Sequence, residues 1–444
     1  YRLMKLEPYA KGSGIPQVEG MVLFGLKIRW YTVLAVRFGA GLVSSLFGVS
    51  LGREGPSIQL GAAGAQAIAK RTCGSKLEEN CLITAGASAG LASAFNAPLS
   101  GILFSLEEVH RTFSPNILAA ATSAALTADL TSKFIFGLKP VLSFAELPQM
   151  PVSLYAILLP LGIIAGAVGA AINKSLLAAG NLYRRVPAWA RAAVALLFAL
   201  PCGLLLPQVL GGGQGLVYVS EQARTGIASL AVLLTVKFLF TCTSFGSGLP
   251  GGIFMPILSM GALAGSLFGQ GIGLLGFPDG YLPLFCVCAM AGAMAGSVKA
   301  PVTSVLLMVE MTGSLVHLLP VATVAFIALL TSDALGTSPI YEELLSGLMK
   351  QPDISKRERR RAVVEIPVEL GSIAAGKLVR EVAWPAGVLI AAVRRGDQEL
   401  VPRGNTRIRP GDYLIVLSTE KCFGDMHVEL QKICRGFPAE DSEG

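Results

Sequence analysis

Charged residues are scarce in this chain. Asp, Glu, Lys and Arg make up 15% of the 444 residues, whereas hydrophobic residues make up 52%. A soluble globular protein usually carries about 25% charged residues, so the composition of most of this chain is not that of a water-soluble protein. The deficit is local, because residues 1–350 hold 21 Lys/Arg and 15 Asp/Glu while residues 351–444 hold 15 and 14. The first part is therefore predicted to lie in lipid and the second in water.

Metal-binding and catalytic patterns are also missing from the sequence. The eight cysteines lack metal-ligand spacing, and several lie inside apolar runs, where cysteine behaves as a small hydrophobic residue. The three histidines, His110, His317 and His427, are too scattered for a metal or catalytic constellation. The apolar segments show no nucleophile–base pair. These absences argue against a disulfide framework, a zinc site and an intramembrane enzyme, and they predict a protein without a cofactor.

Basic residues do not form the aromatic-interleaved patches that are typical of nucleic-acid binding. The net charge is +7, and the one dense basic run is KRERRR at residues 356–361. It follows the last apolar segment, where the positive-inside rule would place it, and the tail after it, in the cytoplasm. A solvated linker without a partner explains the run equally well. We therefore predict a membrane unit at residues 1–350, a basic linker at 351–362 and a cytoplasmic domain at 363–444.

Apolar segments fill the membrane unit. They lie near residues 29–50, 57–70, 82–106, 117–136, 151–178, 187–209, 226–243, 253–275, 282–309 and 315–333. A membrane-spanning helix needs about 20 apolar residues, and only some of these segments reach that length without Gly or Pro. The chain has 51 glycines, many in small-residue patterns that let helices approach closely. Broken, glycine-rich spans predict an all-α, multi-pass transporter rather than a simple anchor.

The membrane unit contains an internal repeat. Two sequence blocks recur in the same order, residues 56–62 as 256–262 and residues 97–103 as 300–306. The second register places Glu107 on Glu310, and we expect these two acids to be structural. Two related halves with interrupted helices predict a substrate site at their interface, and an odd number of spans in each half would invert one relative to the other. Chance similarity of Ala/Gly-rich helices is the alternative, but the register holds across both blocks.

Three Gly/Pro-rich motifs precede apolar helical segments. They are GSGIP at residues 12–16, GREGP at 52–56 and GSGLPGGIFMP at 246–256. Proline favours the first turn of a helix, and the free N–H groups of a helix N-terminus bind anions without a full cation. A buried Lys or Arg beside the ion would hold it too tightly for transport. Three such motifs in a repeated membrane unit predict an anion site.

These motifs resemble those of the CLC family of chloride channels and proton–chloride exchangers. The resemblance covers residues 12 to about 350 and implies an inverted repeat and a homodimer with one pathway in each subunit. A family member would have further helices before Tyr1, so we expect a preceding segment to be absent from this sequence. The resemblance also implies that chloride and protons are the transported partners.

The resemblance implies an anion-binding set. Ser13 matches a serine whose hydroxyl contacts the central chloride, and a serine there favours chloride over nitrate. Ile253 and Phe254 match residues whose backbone amides line the same site, and Gly55 follows the acid of the second motif. Tyr341 resembles the tyrosine whose hydroxyl closes the intracellular side, which fluoride-selective relatives lack.

Two acids would carry the proton. The resemblance implies that Glu54 is the external gate, which occupies an anion site when ionised, and that Glu108 is the internal proton-transfer acid. An ionisable residue within a span is costly and is a functional candidate by default. Glu54 would lie between a helix N-terminus, which favours its anionic form, and dry surroundings, which favour its neutral form. Glu19 is expected to be a buried structural acid and His110 a solvated helix-end residue.

The tail is predicted to be a small α+β domain. Strands are expected at residues 363–366, 388–393 and 413–417, with helices at 374–380 and near 422–434; RPGD at 409–412 supplies turn chemistry. The tail resembles the C-terminal subdomain of potassium-conductance regulators, the RCK-C or TrkA-C type. That resemblance implies self-pairing and possible small-ligand regulation, and a dimerising accessory without a ligand is an equal alternative.

The sequence thus predicts a chloride/proton antiporter, not an enzyme, in the plasma (inner) membrane of a prokaryote. A gated chloride channel of the same fold is the nearest alternative, but channels of the family usually lack an acid at the position of Glu108. An exporter of another anion such as fluoride is a further alternative. A cation transporter, suggested by the tail alone, lacks support in the membrane unit, which offers no carbonyl-lined filter.

Overall fold

The computed structural model describes residues 2–137, 142, 147–221, 225–349, 361–385, 388–396, 398–419, 429–430 and 432–434. The chain forms two compact units, Tyr1–Met349 and Lys350–Gly444. Residues 351–360 of the predicted linker lie outside the described residues, and residues 361–362 belong to the first strand of the second unit.

The first unit is built from α-helices, several of them short. Their bounds in chain order are α1 Arg2–Leu6, α2 Ile15–Leu23, α3 Trp30–Leu46, α4 Glu54–Thr72, α5 Lys76–Phe95, α6 Pro98–Phe104, α7 Pro115–Phe136, α8 Leu158–Tyr183, α9 Arg191–Leu205, α10 Gln214–Glu221, α11 Ile227–Gly246, α12 Phe254–Gly273, α13 Leu282–Val298, α14 Pro301–Thr312, α15 Leu318–Ala334 and α16 Ile340–Leu348. A π-helical turn, Ser105–His110, continues α6.

Four apolar helical stretches in the described part of the chain are long enough to cross a membrane. They are Val152–Tyr183, Ile227–Gly246, Phe254–Gly273 and Leu315–Ala334, and they are accompanied by four shorter apolar helices. The most buried helix is α13, which is enclosed by α8, α12 and α15. Its small residues allow this packing, because a Cβ at Gly292 would meet the side chain of Ala165 at 2.7 Å.

The repeat is visible as a local twofold relation between the halves. The N–H of Gly52 donates to the carbonyl of Gly252, and the N–H of Gly252 donates to the carbonyl of Gly52, both at 2.7 Å. The two chain segments run antiparallel at this bridge. Equivalent helices also end alike, since Asn96 after α5 and Lys299 after α13 both adopt left-handed backbone conformations.

Glu107 and Glu310 bind across the repeat. The Glu310 carboxylate accepts hydrogen bonds from the backbone N–H groups of Leu99 and Ser100 at 2.9 and 2.7 Å, and from the Ser100 hydroxyl at 2.5 Å. The Glu107 carboxylate accepts the equivalent bonds at the start of α14, from Thr303 N–H at 2.9 Å and the Thr303 hydroxyl at 2.7 Å. Each half therefore caps a helix N-terminus of the other, which agrees with the expected structural role of the two acids.

The second unit contains a four-stranded antiparallel sheet in the order β1-β4-β2-β3. The strands are β1 Arg361–Pro367, β2 Leu389–Arg395, β3 Gln398–Leu400 and β4 Tyr413–Thr419. Its core combines Val393, Leu414 and Val416 with Ile433 from the C-terminal helical turn. The remainder of the predicted helix near 422–434 lies outside the described residues.

Two details of the tail differ from the sequence prediction. Residues 374–376 form turns, Leu378 forms an isolated bridge with Arg407, and a short 3-10 turn follows at Val379–Glu381, so the predicted helix at 374–380 is absent. Gly376 has a left-handed φ of 82°, and its N–H donates to the Ile408 carbonyl, so the backbone bonds that a helix would use are made to a distant segment. Strand β3 was not predicted, because three residues carry too little pattern to show a strand.

The predicted turn at residues 409–412 is held by its acid. The buried Asp412 carboxylate accepts two hydrogen bonds from the Arg395 guanidinium at 2.8 Å and one from the Arg409 N–H at 2.8 Å. Burial raises the pKa of Asp412, but these bonds and charges outweigh it and hold the pKa below its usual value. Arg395 and Asp412 therefore tie β2 to the turn that starts β4.

Candidate anion and proton site

The three Gly/Pro-rich motifs meet at one place. The Gly251 N–H donates to the Gly12 carbonyl at 3.1 Å, which joins the third motif to the first, and the Gly52–Gly252 bridge joins the third to the second. Helices α2, α4 and α12 begin just after these loops. The first N–H groups of each helix lack intrahelical partners, so three partly positive helix ends belong to one assembly, as the sequence predicted.

Close approach at this place requires glycine. A Cβ at Gly55 would lie 2.3 Å from the Ser13 carbonyl oxygen and 2.8 Å from its hydroxyl oxygen. Gly14 has a left-handed φ of 96°, and a Cβ there would lie 2.7 Å from the Arg37 guanidinium. These two positions bring the start of α4 against the loop that carries Ser13.

Two buried hydroxyl groups belong to this assembly. Ser13 Oγ and the Tyr341 hydroxyl are near each other, yet neither has a hydrogen-bond partner of ordinary geometry among the described residues. Buried hydroxyl groups normally have partners, so two unpaired donors indicate a place for a ligand that accepts hydrogen bonds. Ile253 and Phe254, at the start of α12, are fully buried. Of the predicted anion-binding set, Gly55 lies against Ser13 and Tyr341 lies near Ser13, while Ile253 and Phe254 directly follow Gly252, which approaches Gly55. Their binding of an anion stays a prediction.

Glu54 is the first residue of α4 and is buried. Its carboxylate faces the backbone amides of Glu54 itself and of Met255, and the Arg53 guanidinium acts on it electrostatically. Its Oε2 atom has no hydrogen-bond partner among the described residues. The carboxylate therefore lies at the N-termini of two helices, where a small anion would also be stabilised.

Glu108 lies apart from Glu54, on the π-helical turn that follows α6. Glu108 is buried. The charges of both Glu108 and Glu54 act on the Tyr341 hydroxyl, so this tyrosine lies within electrostatic reach of both acids. A π-turn often marks a functional position, and here it sends two adjacent acids in different directions. Glu107 turns toward α14, whereas Glu108 turns into the protein.

The surroundings of Glu108 correct one expectation and extend another. His110 is half-buried and forms a 2.9 Å hydrogen bond with the Thr84 hydroxyl, so it is not the solvated residue that was predicted. Glu19 is fully buried as expected, and it pairs with Arg111 at 2.5 Å. The sequence showed Arg111 as a basic residue close to Glu108, but its pairing with Glu19 was missed because Glu19 lies on another helix.

Two buried cations were also missed. Arg37 donates to the carbonyls of Ala10 at 2.7 Å and Gly12 at 2.8 Å, and it also bonds the Ser13 carbonyl. Lys237 donates to the carbonyls that precede α10, those of residues 209 and 211, at 2.9 and 2.7 Å. Both cations are fully buried. Their spacing of 200 residues equals the offset of the first repeated block, a signal that the sequence contained.

Comparison with known proteins agrees with this arrangement. The sequence model of the family described as voltage gated chloride channel matches residues 1–333, and that of the TrkA-C domain matches residues 363–421. This chain belongs to the voltage gated chloride channel family. The CLC resemblance and the TrkA-C resemblance of the tail are thereby confirmed.

Relatives and solved structures resemble most of the chain. The H(+)/Cl(-) exchange transporter ClcA of Salmonella typhimurium strain LT2 is 33% identical over 375 residues, which are 81% of this chain and 78% of the relative. The structure of a slow cyanobacterial Cl-/H+ antiporter has a TM-score of 0.73 at 31% identity and covers 79% of this chain and 84% of its own. A eukaryotic CLC transporter has a TM-score of 0.65 at 22% identity, covers 80% and 66%, and shows the fold alone.

A further solved structure also resembles the chain. It is a CLC-type fluoride/proton antiporter, with a TM-score of 0.64 at 25% identity and coverage of 75% of this chain and 83% of its own. These findings confirm the predicted fold class, an all-α CLC-like membrane unit joined to a small α+β domain. They also identify the chain as an integral multi-pass membrane protein.

Proposed function

We propose that this protein is a secondary active transporter that exchanges chloride for protons across a membrane. The relatives described as H(+)/Cl(-) exchange transporters and the cyanobacterial Cl-/H+ antiporter support these two ions. The observation that carries the proposal is the position of the Glu54 carboxylate. It lies at the starts of α4 and α12 and faces backbone amides that would serve chloride equally well.

Chloride would bind where the three motifs meet. The hydroxyl groups of Ser13 and Tyr341 would donate hydrogen bonds to it, together with the backbone amides of Ile253 and Phe254. Gly55 would let the helix start approach, because its lack of a side chain leaves room beside Ser13. The proposed donors are neutral, and the guanidinium of Arg37 behind the Ser13 loop donates to three backbone carbonyls, so chloride would be held without a direct salt bridge.

Glu54 would act as the outer gate and as a proton carrier. Its ionised carboxylate competes with chloride for the same helix N-termini, so both cannot occupy that position. Protonation removes the charge that holds the side chain there, and chloride can then replace it. One group therefore links proton uptake to chloride movement, which is the requirement for exchange.

Glu108 would pass the proton between Glu54 and the inner solution. It is buried but lies beside Arg111, which is partly exposed, so it lies near a surface of the unit, which the proposal takes as the inner one. Tyr341 would separate the chloride route from the inner solution, because its buried hydroxyl lies beside Ser13. Protons and chloride would thus share Glu54 and diverge on the inner side.

Assembly and location are part of the same proposal. The transporter would be a homodimer in the plasma (inner) membrane of a prokaryote, with one pathway in each subunit and the tail in the cytoplasm. The TrkA-C match supports a tail that pairs with its copy. Such a tail would either bind a small regulatory ligand or serve only to strengthen the dimer.

Flux in liposomes tests the transport proposal. Chloride efflux is recorded together with external pH for the parent, Glu54→Gln and Glu108→Gln. In the parent, outward chloride flow should drive protons inward. Glu54→Gln should pass chloride without moving protons, because the gate is permanently neutral, and Glu108→Gln should lose proton movement as well.

A surface acid provides the matched control. Glu79 pairs with Lys76 at the protein surface, so Glu79→Gln should leave both fluxes unchanged. Chloride flow without proton movement in the parent would identify a channel and overturn the role of Glu108. Fluoride flux in place of chloride flux would identify the fluoride exporter instead.

A further inference from the structure

Glu108 belongs to a cluster of charged side chains that, among the described residues, includes the cation Arg111. The charged side chains that act on Glu108 are Glu19 on α2, Glu342 on α16, Glu107 on its own turn and Arg111. Glu107 is held by the N-terminus of α14, and Tyr341 is the other titratable group within reach. Glu342 lies in the first turn of α16, so Glu19 and Glu108 are the two acids that share Arg111 as a nearby cation among the described residues.

One nitrogen atom of Arg111 lies between two buried carboxylates. Its Nη2 is 2.5 Å from Glu19 Oε1 and 3.9 Å from Glu108 Oε1. Glu108 Oε1 is buried and has no hydrogen-bond partner among the described residues. Arg111 thus pairs closely with Glu19, while Glu108 lies at the outer limit of an ion pair and beyond hydrogen-bonding distance.

The backbone holds Arg111 in this position. Arg111 follows the π-turn with a left-handed φ of 56°, which is uncommon for a residue other than glycine. That conformation folds the side chain back over the turn, where Nε donates to the Glu108 carbonyl at 3.3 Å. The guanidinium is 35% exposed, whereas Glu19 is fully buried, so Arg111 is the contact between the solution and the two acids.

We propose that Arg111 is a positioning residue shared by Glu19 and Glu108. Its guanidinium pairs with Glu19 while Glu108 carries a proton, and it moves toward Glu108 when that proton leaves. This inference rests on the proposed role of Glu108 in proton transfer. The π-turn and the left-handed backbone of Arg111 place its guanidinium within reach of both acids, which the proposal requires.

The arrangement makes an opposite-sign prediction for two substitutions. Arg111→Gln removes the attraction between the guanidinium and ionised Glu108, so proton release from Glu108 should need a higher pH. Glu19→Gln removes a negative charge and frees Arg111 for Glu108, so release should occur at a lower pH. A nearby charge commonly moves such a titration by about one pH unit or more.

The test is the dependence of coupled exchange on the pH of the inner side, measured in liposomes for oriented protein. The midpoint should rise by about one pH unit in Arg111→Gln and fall by a similar amount in Glu19→Gln. Arg111→Lys should stay near the parent, because the charge is kept. Arg185→Gln, which removes an exposed arginine from a helix-end turn, is the matched control and should not move the midpoint.

Several outcomes would overturn the proposal. Shifts in the same direction, or lower rates with unchanged midpoints, would mean that Arg111 only supports the fold. If Arg111→Gln is not recovered folded, Glu19→Gln decides alone, since an unmoved midpoint there contradicts the shared cation. Glu108→Gln is measured in parallel, because persistent proton coupling in that variant refutes the role of Glu108 itself, whatever Arg111 does.

Discussion

The two halves of the membrane unit share a scaffold but not the chemistry built on it. Gly52 and Gly252 bond each other symmetrically, and Glu107 and Glu310 cap each other's helices. The buried cations Arg37 and Lys237 tie equivalent loops. These interactions come in pairs because equivalent positions of the two halves carry residues that make the same kind of bond, and each supports the same backbone.

The acids that would carry protons occur in the first half alone. The residue 200 positions after Glu54 is Phe254, which packs against the rings of Phe95 and Phe104. The residue 203 positions after Glu108 is Met311, which is buried. Paired residues are therefore expected to govern stability, and unpaired residues to govern transport.

The largest expected effect comes from the crossed caps. Glu310→Ala and Glu107→Ala should each lower the free energy of unfolding by about 3 kcal/mol, because each removes three hydrogen bonds to a charged acceptor. Unfolding in detergent measures the loss. The corresponding Gln variants keep one acceptor oxygen and should lose less, and clearly unequal losses for the two Ala variants would break the equivalence of the halves.

The buried cations should have a smaller effect on stability and an unequal effect on transport. Arg37→Met leaves three carbonyls without a donor and Lys237→Met leaves two, at a cost of about 1 kcal/mol for each carbonyl. Because neither variant buries a charge any longer, the removed desolvation penalty offsets part of this cost. Chloride flux should fall more in Arg37→Met, because Arg37 holds the Ser13 loop.

Exchanging the two cations provides the control for that comparison. Arg37→Lys and Lys237→Arg keep a charged donor in each loop, so both should retain chloride flux. Equal flux in Arg37→Met and Lys237→Met would show that the Ser13 loop does not depend on Arg37.

The smallest effect is expected from the hydroxyls beside the caps. Ser100→Ala and Thr303→Val each remove one hydrogen bond to a glutamate and should cost about 1 kcal/mol. In a Glu310→Ala background, Ser100→Ala should cost almost nothing further, because its partner is already gone. Full additivity in that double-mutant cycle would mean that the hydroxyl acts elsewhere.

Much of the architecture could be predicted from the sequence. Composition separated the lipid-facing part from the tail, and the recurrence of residues 56–62 and 97–103 revealed the halves. The Gly/Pro motifs located the helix starts near Ile15, Glu54 and Phe254. These features are local, since apolar length, glycine and proline act on the backbone that carries them.

The tertiary structure decided the partners. The sequence indicated that Glu107 and Glu310 are equivalent, but only the fold shows that each caps the other half's helix. The predicted helix at residues 374–380 was wrong because the backbone of this segment forms hydrogen bonds with distant residues. The contacts of Arg111 with Glu19 and Glu108 likewise became visible only in the folded structure. Sequence spacing specifies what a residue can do locally, whereas contacts between segments that are far apart in the chain depend on how the whole chain closes on itself.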